Sequence, residues 1–293
     1  MNLIEREQKK EKFEHIANRH PCFGEGPDMN RGRVHLPVSP ACNIQCAFCK
    51  RSINKTEKRP GVTNKLLSPK EAAVIADKAL KLCSEITVAG IAGPGDTLAT
   101  HQAIDTFKII NREHPELINC LSTNGLLLEK YADELTEVGV KTITVTVNAV
   151  DPKILKDICL YVIYEGKKYE GITGAEILIE AQKRGIKKAA ILGALIKINI
   201  VLIPGVNDGH IGEIARTAKE LGAAFINIIP LIPQYEFEDK SAPTCEELYK
   251  ARQIAEEYLP VFRHCKRCRA DACGIPGKLE VAGLLYDYQE AEQ

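Results

Sequence analysis

Three cysteines with the spacing CxxxCxxC lie in one loop of the sequence, at Cys42, Cys46 and Cys49. Each iron of a cubane iron–sulfur cluster takes one protein ligand, so three thiolates hold three irons and leave the fourth open. Zinc sites usually combine two CxxC or CxxH halves of shorter spacing. The loop therefore favours an iron–sulfur cluster over half a zinc site or a disulfide pair.

The open iron can chelate the amino and carboxylate groups of S-adenosylmethionine (SAM). The sulfonium then lies where the reduced cluster can deliver an electron and break a carbon–sulfur bond, which gives a 5′-deoxyadenosyl radical; the cofactor carries that chemistry. With Phe48 directly before the last cysteine, the loop resembles the signature of the radical SAM superfamily. It predicts radical chemistry.

The composition narrows the choice of partner and compartment. The chain has 293 residues, with 39 Lys and Arg against 39 Asp and Glu, and this balance gives no reason to expect a nucleic acid or an anionic membrane. Residues 1–20 are charged throughout and have no apolar signal core, so we expect a cytoplasmic protein. Thiols stay reduced there, so the 11 cysteines favour metal ligands over disulfides.

Segments rich in Val and Ile alternate with helical patterns along the chain. The six predicted strands are Val34–Ser39, Ile86–Ile91, Ile118–Thr123, Thr142–Val150, Leu195–Ile203 and Phe225–Ile232. The predicted helices between them are Ser68–Leu82, with Ser68 as its cap and Pro69 at its first position, Thr100–Glu113, Leu126–Glu137, Pro152–Tyr164, Thr173–Arg184 and His210–Glu220. Six strand-then-helix units predict an α/β fold, a partial (β/α)6 TIM-like barrel.

The predicted barrel spans residues 34–233 and has an extension at each end. Residues 1–33 form an N-terminal arm, in which a solvated helix over residues 1–20 precedes a loop that carries Cys22. Residues 234–293 form a C-terminal extension with one more helical pattern and a CxxC pair.

The CxxC pair consists of Cys265 and Cys268, and Arg and Lys residues flank it. It can be half of a zinc ribbon that binds nucleic acid, or it can hold an anionic iron–sulfur cluster whose charge these cations offset. We favour the cluster because no matching half follows at ribbon spacing.

Glycine and polar residues cluster where the predicted strands end, which is where a barrel of this kind carries its catalytic groups. The second strand runs into a Gly-rich turn whose carbonyls can receive the ammonium group of SAM, and the later strand ends can bind a nucleoside. Ordinary turn and capping chemistry is the alternative for each residue taken singly. The candidate cofactor-binding residues are Gly93, Pro94, Gly95, Asp96, Thr123, Asn124, Asn148, Ile203 and Asn227.

A succession of motifs between His20 and Ala272 makes the signal more specific: HPCF, HLPVSPACNIQCAFCKR, EKRPGV, AGPGD, LSTNG, VLIPGVND, NIIPLIP and CKRCRADA. This succession resembles the NifB family of radical SAM enzymes, which assemble the nitrogenase cofactor, in the short form without a carrier-like C-terminal domain. The resemblance implies SAM and three 4Fe–4S clusters, of which two are substrates. These two would be fused into an eight-iron core around a carbide made from the methyl group of one SAM, while a second SAM supplies the radical that removes a hydrogen from that carbon.

The resemblance also implies a set of ligands and partners. Cys22, Cys265 and Cys268 would hold one substrate cluster, and Cys120 and His35 the other, although this division stays open. The implied partners are a protein that donates clusters, a carrier or scaffold protein that accepts the product, and a reductant. We expect the chain to be a monomer.

Glu57 and Arg59 match the ExRPGV motif of the family. A carboxylate beside a guanidinium can ligate iron or move protons, so we predict a catalytic role; a surface ion pair is the alternative. Many members carry a cysteine where this chain has Asn54, so the site of Cys120 is one ligand short or recruits a group such as Glu57 or a small thiol. Cys273 has no family role, and three further thiols fall on predicted helices as core or surface residues: Cys83, Cys159 and Cys245.

Two other functions remain open at this point. The first is a radical SAM enzyme with one auxiliary cluster that acts on a peptide or a small metabolite. The second is a scaffold for iron–sulfur clusters, or a zinc module, without catalysis. An iron count and the cleavage of SAM separate these alternatives from the first hypothesis.

Overall fold

The structure is a computed structural model that describes residues 14–23 and 30–286. Its strands are β1 (Gly32–His35), β2 (Ile44–Cys46), β3 (Ser52–Ile53), β4 (Val62–Thr63), β5 (Ile86–Ile91), β6 (Ile118–Thr123), β7 (Val140–Thr146), β8 (Cys159–Tyr164), β9 (Lys167–Glu170), β10 (Leu195–Leu202), β11 (Phe225–Pro230), β12 (Cys273–Ile275) and β13 (Leu279–Glu280). Its helices are α1 (Pro69–Leu82), α2 (Gln102–Glu113), α3 (Leu128–Glu137), α4 (Pro152–Ile158), α5 (Gly171–Ile191), α6 (Ile211–Glu220), α7 (Cys245–Glu256) and α8 (Ala282–Tyr286).

The main sheet contains six parallel strands in chain order, β1, β5, β6, β7, β10 and β11. Helices connect most of them, so all six strand C-termini reach the same edge of the sheet. This arrangement confirms the predicted α/β fold with an open, parallel sheet. The C-terminal strands β12 and β13 add to the β1 edge in antiparallel pairing.

A local sequence motif determines where the helix α1 begins. The Ser68 hydroxyl accepts the N–H of Glu71, whose carboxylate accepts the N–H of Ser68, and Pro69 takes the first helical position. Such a reciprocal cap satisfies two backbone donors that a helix start leaves unpaired. The buried side of α1 then packs against the sheet within the main hydrophobic core. The predicted start of this helix is therefore confirmed.

The predicted helix Pro152–Tyr164 is wrong in its second half, because α4 ends at Ile158 and the strand β8 begins at Cys159. The segment CLYVIY is rich in β-branched and aromatic residues, and it pairs on one side with β2 and on the other with β9. Cys159 is consequently a strand residue. The helix predicted for residues 1–20 is described only from residue 14, with residues 14–17 helical; the rest of that prediction, and residues 24–29 and 287–293, lie outside the described residues.

No helix in the described ranges is long and apolar enough to cross a lipid bilayer.

Candidate active site

A cavity of about 190 Å³ lies beside the three-cysteine loop; we call it the loop cavity. The loop is shaped by β2, which pairs with β8, and by a hydrogen bond from the N–H of Cys49 to the carbonyl of Cys46 at 3.0 Å. All three cysteines line the loop cavity together with residues from three strand ends: Pro94, Gly95, Asp96, Thr123, Asn124 and Asn148. Most of the candidate SAM-binding residues therefore lie at one place.

The Gly-rich turn after β5 packs directly against the start of the cysteine loop. The N–H of Gly95 donates to the carbonyl of Ser39, and the N–H of Asp96 to the carbonyl of Ala41, both at 2.8 Å. A Cβ atom on residue 95 would lie 2.0 Å from the Ala41 oxygen, so only glycine fits. The turn thus fixes the position of the loop relative to the sheet.

The buried Asp96 carboxylate ties the second strand end to the third. It accepts hydrogen bonds from the Thr123 hydroxyl and from the N–H groups of Asn124 and Leu98, and burial raises its pKa. The Asn124 amide in turn contacts the Sγ of Cys42 at 3.8 Å. This chain of contacts holds polar groups at the edge of the loop cavity.

A larger cavity of about 330 Å³, which we call the central cavity, adjoins the first. Six residues line both cavities: Phe48, Cys49, Ala92, Pro94, Ser122 and Thr146. The central cavity is also lined by five candidate ligands that lie far apart in the sequence: Cys22, His35, Cys120, Cys265 and Cys268. No three His, Cys, Asp or Glu side chains in the described part of the chain are placed to hold a single metal ion. Ligands of a cubane bind separate irons and therefore stand farther apart.

The thiols of the central cavity are half-buried and lie near one another. Burial raises the pKa of the Cys22 thiol to about 12, with the Lys197 ammonium opposing the shift. The neighbouring thiols of Cys268, Cys265 and Cys120 raise the same pKa further. The Cys22 thiol therefore ionises only when a positive partner, such as a metal, stabilises its thiolate.

Two buried cations face these thiols. The Arg33 guanidinium is 2% exposed and donates to the Sγ of Cys268 at 3.3 Å. The Lys197 ammonium donates to the carbonyl of Cys22 at 2.9 Å and lies 4.4 Å from the centre of the Phe23 ring. Among the described residues, Lys197 has no carboxylate partner, and a buried charge without one calls for an anion. The donor set therefore fits an anionic, thiolate-ligated cluster.

His35 presents a neutral imidazole to the same cavity. Its Nδ1 lies 3.0 Å from the carbonyl oxygen of Arg269, which can only accept, so Nδ1 carries the proton and Nε2 keeps its lone pair. Burial lowers the pKa of His35 to about 4. A histidine whose second nitrogen donates to a backbone carbonyl is the usual form of a metal ligand.

Comparison with known proteins agrees with this geometry. The radical SAM superfamily model matches residues 36–218. The FeMo cofactor biosynthesis protein NifB of Methanocaldococcus infernus is 51% identical over 288 residues, which cover 98% of this chain and 95% of that protein. NifB of Methanocaldococcus jannaschii is 52% identical over 269 residues, 91% of this chain and 89% of that protein. The chain belongs to the NifB family.

Two solved structures share the fold of this NifB-family chain. A radical SAM methyltransferase from Sphaerobacter thermophilus has a TM-score of 0.56 at 21% identity, over 81% of this chain and 67% of that one. Streptococcus suis SuiB, bound to S-adenosylmethionine, has a TM-score of 0.57 at 14% identity, over 78% of this chain and 49% of that one. At these identities the likeness concerns the fold alone.

The remaining predicted residues lie elsewhere. Asn227 lines the central cavity, where its amide donates to Asn199, and it is absent from the lining of the loop cavity. Gly93 and the buried Ile203 line neither of the two cavities. Cys273, the thiol without a family role, is a buried member of the main hydrophobic core. The ligand and cofactor roles within the NifB-family site stay predictions.

Glu57 and Arg59 form an ion pair outside the lining of both cavities. Arg59 donates from Nε to Glu57 at 2.6 Å, and its other nitrogens hold the carbonyl of Lys50 and the hydroxyl of Ser52. The second oxygen of Glu57 accepts from the side-chain amide of Asn54 at 2.6 Å. In this conformation the pair organises the loop, and its catalytic role stays a prediction.

The sequence analysis missed four side chains at the two cavities. Lys197 was visible as the one charge in the apolar run LIKINIVL of β10, and Arg33 as a cation at the start of β1. Gln182, on α5, donates to two strand-end carbonyls beside the loop cavity. Cys159 lies opposite Cys46 across the β2–β8 pair and lines the same cavity. No local pattern marked the last two.

Proposed function

We propose that this chain is a radical SAM enzyme that fuses two 4Fe–4S clusters and inserts a carbide derived from SAM, giving the 8Fe–9S–C precursor of the nitrogenase FeMo-cofactor. Family membership supports the pathway, since its relatives are named FeMo cofactor biosynthesis proteins. The observation that carries the proposal is the central cavity, where candidate ligands from both ends of the chain line the same cavity as Cys49.

In this proposal Cys42, Cys46 and Cys49 hold the resident 4Fe–4S cluster, which supplies the electron that cleaves bound SAM. The Gly95–Asp96 turn and Asn124 form the wall against which SAM would lie. Because the two cavities share part of their lining, a group bound in one can react with a group bound in the other without leaving the protein.

The central cavity would receive the two substrate clusters. Cys22, Cys265 and Cys268 hold one, and Cys120 and His35 the other. Imidazole is a weaker anchor for iron than thiolate, so the second cluster is the one that leaves its site more readily. A cluster donor, a product carrier and a reductant complete the proposed system.

Anaerobic reconstitution with methyl-labelled SAM tests the proposal. We expect about twelve irons per chain from three cubane clusters, and label in an eight-iron product. About eight irons with cleavage of SAM but no such product would favour the radical enzyme that acts on a small substrate. Intact SAM after dithionite reduction would favour a scaffold.

Single substitutions test the proposed roles of the two cavities separately. Cys42→Ala should abolish both methyl transfer and radical formation. Cys265→Ala should abolish methyl transfer while SAM still binds at the resident cluster. Cys245→Ala, at an exposed thiol on α7, is the matched control and should behave as the unchanged protein. Full methyl transfer by Cys265→Ala would contradict the assignment of the C-terminal pair.

A further inference from the structure

His20 has a buried donor that nothing in the described structure accepts. The residue is 1% exposed and lines the central cavity two positions before Cys22. Its Nε2 is buried and has no hydrogen-bond partner among the described residues. Buried polar groups are normally paired, so an orphan at a cavity wall points to a missing partner inside the cavity.

The position of the ring proton on His20 follows from the hydrogen bond that Nδ1 accepts. The backbone N–H of Cys22 donates to Nδ1 of His20 at 3.0 Å. A nitrogen that accepts a hydrogen bond carries no proton, so the ring proton must be on Nε2. His20 is therefore a hydrogen-bond donor toward its surroundings and cannot ligate iron through Nε2.

Two neighbours of the ring, Phe23 and Lys197, offer no acceptor to Nε2. The Phe23 ring packs edge-on with centroids 4.6 Å apart, and Lys197, whose charge acts on His20, is itself a donor. His20 and His35 thus have opposite tautomers in one cavity. Nε2 of His35 offers a lone pair, whereas Nε2 of His20 offers a proton.

We propose that His20 Nε2–H donates a hydrogen bond to a sulfur atom of the cluster held by Cys22. The proposal rests on the proposed function, because it needs a cluster at this site. His20 is a positioning residue: its ring fixes the Cys22 backbone through Nδ1 and reaches the cluster through Nε2. Hydrogen bonds to cluster sulfur stabilise the reduced form and so raise its reduction potential.

Two substitutions separate the two ends of the ring. His20→Asn places an amide oxygen near the position of Nδ1. This oxygen can still accept the N–H of Cys22, but the variant lacks the Nε2–H donor. His20→Gln places an amide N–H near the position of Nε2, but it lacks the Nδ1 acceptor for the N–H of Cys22. The readouts are iron content and the midpoint potential of each cluster, from redox titration followed by electron paramagnetic resonance.

We expect His20→Asn to keep the iron content and to lower the potential of one cluster, the one that is lost in Cys22→Ala. His20→Gln should keep that potential near its original value. Unchanged potentials in His20→Asn, or an equal shift in both variants, would overturn the proposal.

A second measurement keeps His20 in place, so it tests the proposal even if the variants at residue 20 fail to fold. In nitrogen-15 histidine protein that carries both His35→Ala and His264→Ala, which removes the other histidines that line the central cavity, pulsed magnetic resonance of the reduced clusters should show a weak histidine coupling, as expected for a hydrogen bond. The absence of any weak coupling would overturn the proposal. If the coupling is absent but the unchanged protein forms labelled eight-iron product, the proposed function would stand without the His20 bond.

Discussion

The contact between Arg33 and Cys268 gives a sharp test of the electrostatics of the central cavity. The guanidinium donates to Sγ at 3.3 Å and also forms an ion pair with Glu280, whose side chain is 55% exposed. Arg33→Met keeps the length and much of the packing of the side chain but removes the charge and the donor. We expect this variant to bind the cluster of Cys268 more weakly.

The size of the loss follows from the distance. Two unit charges 3.3 Å apart interact by about 5 kcal/mol at an effective dielectric constant of about 20. A cluster spreads the thiolate charge over several atoms, so the net value of a hydrogen bond to a charged group, about 2 kcal/mol, is the better guide. That energy corresponds to about 30-fold in affinity.

The assay is a chelator titration of the anaerobically reconstituted protein, followed as iron retained per chain. About four irons, those of one cubane, should be released at about 30-fold lower chelator strength in Arg33→Met, and the others at the original strength. Glu280→Gln is the control, because it leaves the guanidinium beside Cys268. Thermal unfolding of the metal-free proteins checks that the fold is kept. Equal iron retention by Arg33→Met and the unchanged protein would refute the reasoning.

Three other changes probe separate parts of the structure. Lys197→Met should lower the iron content of the central cavity while Lys197→Arg keeps most of it, because the buried ammonium has no other anion among the described residues; iron analysis distinguishes them. Gly95→Ala should abolish SAM cleavage, measured as 5′-deoxyadenosine formed, since its Cβ would meet the Ala41 oxygen at 2.0 Å; cleavage at the original rate would show that the turn moves freely. His210 accepts the N–H of Val150, and burial lowers its pKa, so the unfolded chain binds the proton more readily. Stability should therefore fall as pH drops below about 6.5, and a denaturant titration of His210→Gln should show a smaller fall.

The parallel sheet was predictable from sequence because each of its strands carries its own local signal. The segments at Ile86–Ile91 and Ile118–Thr123 are bounded as the pattern of apolar residues indicates, and the cap at Ser68 is a short-range motif. The strand β8 was not predictable, because its short apolar segment is equally compatible with one side of a helix. Its state depends on pairing with β2, which lies more than a hundred residues earlier in the chain.

The grouping of ligands in the central cavity had no local signal either. Spacing alone says nothing about the distance between Cys22 and Cys265, and their meeting was expected only from the family resemblance. Lys197, in contrast, could have been predicted from the sequence. A charge within an apolar strand is costly to bury, so such a residue indicates a binding site. Gln182 lacked even this sign, because a glutamine on a helix is usually a surface residue.

The C-terminal segment contacts both of the proposed substrate sites. It supplies the Cys265 and Cys268 thiols, and the carbonyl of Arg269 in the same segment sets the tautomer of His35, the candidate ligand of the other site. Its strand β12 pairs with β1 at Arg33 and Val34, and the buried Tyr286 hydroxyl donates to the His35 carbonyl at 2.6 Å. If the proposed ligands are right, a displacement of this segment would disturb one cluster through the thiolates of Cys265 and Cys268 and the other through the Arg269 carbonyl that orients His35. The proposed fusion of two clusters would require them to approach with a fixed geometry, and a segment that contacts both candidate sites would hold them in it.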